Sequence, residues 1–165
     1  MRTTSLVFAV VAILTAVASA GTPDAKTLGV PIYPGARYDD ELGKFLFKTT
    51  KTKISAAFTT VDAVEKVAQF YRQQIKTPAD WDASLGWFVV TEDYLEPYWA
   101  AFATTLEAAS RKKVESVVAK SKGKKLKLVV QEVTERERIV GIQRPFLNAR
   151  LDPVEQTLIT IQSFK

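Results

Sequence analysis

Phe58-Thr59-Thr60-Val61-Asp62-Ala63-Val64-Glu65-Lys66-Val67-Ala68-Gln69-Phe70-Tyr71-Arg72-Gln73-Gln74-Ile75 reads as a strand end, a cap and an amphipathic helix, in that order. Val64, Val67, Ala68, Tyr71 and Ile75 recur at helical spacing and share one face. Lys66, Gln69, Arg72, Gln73 and Lys76 take the wet side. Thr60 or Asp62 is placed to cap the start, and Asp62 with Glu65 puts two carboxylates in the positive first turn. Lys76, Thr77 and Pro78 supply the stop. A helix with one apolar stripe must bury it against another layer, and the strand leading into it points to a sheet.

Upstream, Lys44-Phe45-Leu46-Phe47-Lys48 and Lys53-Ile54-Ser55-Ala56-Ala57-Phe58 read as a hairpin, with Phe45 and Phe47 on one face and Ile54, Ala56 and Phe58 likewise. Gly21 to Lys26 is expected to be a mobile polar lead-in. Leu28 to Ala36 carries two prolines and reads as an extended segment ending in a Pro34-Gly35 turn, with Val30, Ile32 and Tyr33 free to cover a sheet edge.

Downstream, Gly86 to Thr91 reads as a short strand. A long helix is expected from Pro97 to about Lys122, stopped by Gly123. Leu126–Val133, Ile139–Ile142 and Val154–Phe164 read as strands. The order predicts one α+β domain over residues 21–165, with a mostly antiparallel sheet and two helices packed on one face.

Tyr33-Pro34-Gly35-Ala36, then Thr60-x-Asp62, then Phe70-Tyr71 together resemble a pattern of uncharacterised bacterial exported proteins. The resemblance covers about residues 28–75. It implies a fold and an exported location, and no activity.

The first twenty residues fit a secretory signal peptide. Arg2 gives the positive start, Leu6 to Val17 the apolar run, and Ala18-Ser19-Ala20 a small-x-small cleavage site before Gly21. The run is short for a membrane span, and no later stretch approaches that length, so the mature chain is expected to be exported and soluble, in the periplasm or outside the cell.

The chain has 165 residues and contains neither Cys nor His. Serine or cysteine nucleophiles activated by histidine are therefore excluded, as are zinc, copper, haem and iron–sulfur sites ligated by Cys or His. No cofactor is expected. An exported domain without disulfides must be held by its core, which suits a bacterial protein. The formal charge is +5, or +4 once Arg2 leaves with the leader.

Three constellations remain. The aromatic group Trp81, Trp87, Tyr94 and Trp99 could form a ligand platform, or could fill the core beside the helices. The acids Asp80, Asp82, Glu92 and Asp93 could serve a carboxylate-dependent glycan hydrolase, or could be solvated loop charges. The basic residues Arg111, Lys112, Lys120 and Lys124 could contact an anionic surface, or could be a wet helix face. Export argues against nucleic acid as the partner and leaves an envelope polymer or a protein. The expectation is an exported, non-enzymatic binding domain; a glycan hydrolase and an anionic-surface module are the alternatives.

Overall fold

The computed structural model describes residues 21–50, 53–75, 88–91, 95–133 and 138–163. The chain is α+β, as the element order requires. Among the described residues its sheet is antiparallel and has six strands: β1 (Arg37–Tyr38), β2 (Ile54–Thr60), β3 (Phe88–Thr91), β4 (Lys127–Val133), β5 (Arg138–Arg144) and β8 (Thr157–Ser163). The spatial order is β1-β2-β8-β5-β4-β3, so the last strand lies inside the sheet between β2 and β5. A two-residue ladder pairs β6 (Phe146–Leu147) with β7 (Pro153–Val154).

Register assigns the two faces. Phe58, Ile159, Ile142 and Val129 pair across four strands and form one buried row. Ala56, Ile161 and Val140 form the next. The helix α3 (Val64–Gln74) covers these rows with Val64, Val67, Ala68 and Tyr71, followed by Ile75, the stripe expected from its spacing. On the opposite face, Leu158, Gln143 and Leu128 form a row, and Ala57, Thr160, Gly141 and Val130 another. Gly141 is required there: a Cβ would stand 2.6 Å from the Thr160 hydroxyl.

The helices are shared between both faces rather than confined to one. Residues expected as the first arm of a hairpin form the helix α2 (Asp40–Thr50), and Phe47 lies exposed instead of sharing a sheet face with Phe45. The apolar set that wins is Leu42, Phe45 and Leu46, at helical spacing. Asp39 caps the start by accepting from the Leu42 amide at 2.9 Å, and Asp40 and Glu41 fill the first turn. At Gly43 α2 runs close to the β2 backbone: a Cβ there would stand 3.6 Å from the Ser55 carbonyl oxygen, in ordinary contact, so alanine would also fit. Leu42 packs with Ala57, Phe146 and Leu158 on the face away from α3.

The long helix expected from Pro97 is two: α4 (Leu95–Thr104) and α5 (Ala108–Lys120). Thr104 and Thr105 turn their hydroxyls back onto the Ala101 and Phe102 carbonyls, which competes with helix continuation. The fold-back lets Leu95, Trp99 and Ala103 of α4 meet Val114 of α5 in one cluster with Leu126 and Leu147. Gly123, with φ +77°, lies in the turn beyond α5 rather than at its end.

The amino-terminal lead-in is also more ordered than expected. Ala25–Leu28 is one helical turn, α1, capped by Asp24 and closed by Gly29 at φ +69°. Leu28, Val30 and Tyr33 are buried in the α3 core rather than lying along a sheet edge.

Candidate functional site

A notch opens between α2 and α4 on the sheet face opposite α3. Leu42, Phe45 and Leu46 form one wall and Tyr98, Trp99 and Phe102 the other. Gln143 and Leu158 lie on the floor, and Phe146 and Leu147 close one end. Its volume is about 80 Å³. Phe45 and Phe102 meet edge to face across it, with ring centroids 6.3 Å apart.

The polar groups of the notch are fixed. Gln143 donates its amide to the Pro145 carbonyl at 3.1 Å, which leaves its oxygen to accept from the Tyr98 hydroxyl at 3.3 Å. Tyr98 is 39% exposed, and the partial desolvation of its ring raises the phenol's pKa, so it stays neutral. The notch thus offers apolar surface with one oriented amide–phenol pair at its rim, a lining suited to holding an apolar group.

Trp99 is the sequence-expected site residue that reaches this place. It lines the notch from below and is only 2% exposed, so it acts as part of the core and not as an open stacking platform. Trp81, Trp87 and Tyr94 lie outside the described residues, as do Asp80, Asp82, Glu92 and Asp93. Residues 1–20, with the expected cleavage site, also lie outside them.

The basic residues differ in what they meet. Arg111 donates to three main-chain oxygens, those of Ala103, Thr104 and Leu106, at 3.2–3.3 Å. It therefore closes the carboxyl end of α4 and fixes the corner to α5. Lys124 stands 3.8 Å from Glu155 in the turn beyond α5. Lys112 and Lys120 are exposed on α5. Lys113 and Lys127, their neighbours in sequence, pair with Asp152 and Glu65. Replacing Arg111 by Ala should lower stability by about 1–2 kcal/mol, the cost of losing charge-assisted bonds that are partly open to water. Lys at this position should restore little, because a point charge cannot fork to three carbonyls. Chemical denaturation of the two variants checks this.

A second cluster unites the positions of the sequence pattern. The Tyr33 hydroxyl donates to Asp62 Oδ2 at 2.7 Å, and Lys66 Nζ meets Asp62 Oδ1 at 3.0 Å. Phe70 stacks edge to face on Tyr33 with centroids 5.3 Å apart, and on Tyr71 at 5.1 Å. Thr157 donates to the Asp62 carbonyl at 2.6 Å, and the Asp62 amide donates to Thr60 Oγ1. Neither Thr60 nor Asp62 caps α3 as expected: the N-cap is Ala63, without a side-chain bond. Asp62 is engaged sideways by Tyr33 instead.

The electrostatics of this cluster oppose proton transfer. Hydrogen bonds from Tyr33 and Lys66 hold the Asp62 carboxyl below its ordinary value. Burial, then the bond to Asp62, raises the Tyr33 phenol above its own. A depressed acid and an elevated phenol both keep their resting protonation states near neutrality. The sign for stability follows: Asp62 contributes above the ordinary carboxylate value of 3.8 and loses that contribution as pH falls through its lower folded value. Asp62→Asn should weaken the fold at neutral pH and flatten the acid limb of a stability-versus-pH curve. Glu65, also lowered by its bond to Lys127, should keep that limb from vanishing.

Among the described residues no group of acids could hold a metal ion, and no helix is long and apolar enough to cross a membrane. Compared with models of protein families, with curated proteins and with solved structures, the chain finds no match.

Proposed function

We propose that this chain is an exported, non-enzymatic binding domain, and that the notch between α2 and α4 receives one aliphatic side chain of a protein partner. The observation that carries the reading is the lining: aromatic and aliphatic walls from two helices over a sheet floor, with one oriented polar pair. Binding sites are typically apolar concavities with a few placed polar groups. At about 80 Å³ the notch is smaller than an apolar cavity of about 150 Å³ that admits benzene, so its size suits a single branched side chain. The export half of the reading rests on the leader: Arg2, the Leu6–Val17 run and Ala18-Ser19-Ala20. It gains support from the resemblance of Tyr33-Pro34-Gly35-Ala36 and Thr60-x-Asp62 to exported proteins.

Isobutanol, which mimics a leucine side chain, tests the notch. Methyl shifts should saturate at Leu46, Leu147 and Leu158 and disappear in Leu46→Trp, which fills the space. Shifts scattered over the surface, or unchanged in the filled variant, would reject the site. Affinity that keeps rising from isobutanol through octanol would replace the side chain with an acyl chain as occupant.

A further inference from the structure

The cluster around Asp62 leaves a second concavity, which the notch reading does not use. Tyr33 and Pro34 form one side, Asp62 the end, and Lys66, Gln69, Phe70 and Gln73 the other. It measures about 360 Å³, within the range of about 300–1,000 Å³ usual for small-molecule clefts. Lys66, Gln69, Phe70 and Gln73 stand at i, i+3, i+4 and i+7, so one strip of α3 supplies the whole wall.

From this geometry we infer that the shelf binds a neutral, polyhydroxylated ligand, one sugar unit of a glycan. Charge is the first argument. Asp62 and Lys66 are paired, so the shelf has no net charge to favour a cation or an anion. The second is hydrogen-bonding capacity. Each Asp62 oxygen has one protein donor and keeps a further acceptor direction. Lys66 retains N–H groups beyond the one it gives Asp62, and the exposed carboxamides of Gln69 and Gln73 offer both donors and acceptors one turn apart. Hydroxyl groups, which donate and accept at once, match that mixture. The third is the aromatic edge: half-buried Phe70, fixed against Tyr33, gives the C–H face of a sugar ring an apolar seat between the polar groups. The fourth is rigidity. Asp62 is held through both its carboxylate and its main chain, so little order need be gained on binding.

The inference does not depend on the notch, which lies on the opposite face of the sheet. Maltotriose, cellotriose and triacetylchitotriose are suitable probes, titrated into ¹⁵N-labelled mature protein. At least one should shift Gln69, Phe70 and Gln73 saturably while leaving Leu46 and Leu158 unmoved. Gln69→Ala and Gln73→Ala should each weaken that binding about fivefold, the worth of one hydrogen bond, with melting temperature unchanged. These exposed positions leave the Tyr33–Asp62 bond intact, so loss of binding would not reflect unfolding. No shift with any of the three at millimolar concentration, or shifts that both variants retain in full, would overturn the inference.

Discussion

Val67→Asp should abolish the folded state. Val67 is fully buried, on the stripe of α3 that covers Phe58, Val140, Ile142, Ile159 and Ile161. The substitution removes a packed side chain, which contributes about 1.5–3 kcal/mol by burial alone. It then leaves a carboxylate with no partner in that core, at a further cost of several kcal/mol even if the group protonates. Natural domains have only about 5–15 kcal/mol to lose. Circular dichroism should show no cooperative thermal transition. Lys66→Gln, one residue away on the wet side, removes only a surface ion pair to Asp62 and should melt nearly as wild type. Similar melting of the two variants would show that α3 presents a different face to the sheet.

Trp99→Ala should be the second largest loss, about 3–5 kcal/mol. Trp99 belongs to the cluster of Leu95, Ala103, Val114, Leu126 and Leu147, and it also backs the notch. Truncation therefore opens a cavity in the cluster that joins α4 to α5 and removes one wall of the proposed binding site. The mutant should unfold at clearly lower denaturant. An open stacking platform behaves differently: its truncation costs affinity while leaving stability nearly unchanged. Equal denaturation midpoints for wild type and mutant would return Trp99 to that role.

The sequence carried the parts of this fold that are local and periodic. The α3 stripe, the strands β4 and β8 and the short β3 follow from spacing and β-branched composition. Two errors have local causes. Phe45 and Phe47 alternate like strand residues, and the helical set Leu42, Phe45, Leu46 includes a glycine neighbour that weakens the signal. The acids Asp39, Asp40 and Glu41 were the available cue, since together they make a capped first turn. The corner between α4 and α5 contains neither Gly nor Pro, so only Thr104 and Thr105 hint at it, and Arg111 secures it from five to eight positions away in the chain.

The sites were harder to read because they are tertiary. The notch draws on α2, α4, β5, β6 and β8, spread from Leu42 to Leu158, and no spacing rule connects them. Tyr33, Asp62 and Phe70 were visible as pattern positions, but their meeting depends on the Leu28–Tyr33 segment entering the α3 core. The basic run suggested a surface, yet the fold uses Arg111 to bind carbonyls and sets Lys113, Lys124 and Lys127 against acids.

The proposed function requires a dry, apolar space between α2 and α4. Diffraction from a xenon-pressurised crystal of residues 21–165 tests it most directly, because xenon settles in apolar cavities and not in hydrated ones. A xenon peak bounded by Leu46, Trp99, Phe102 and Leu158 is the expected result. Ordered water in that space, with xenon absent or bound only elsewhere, would contradict it.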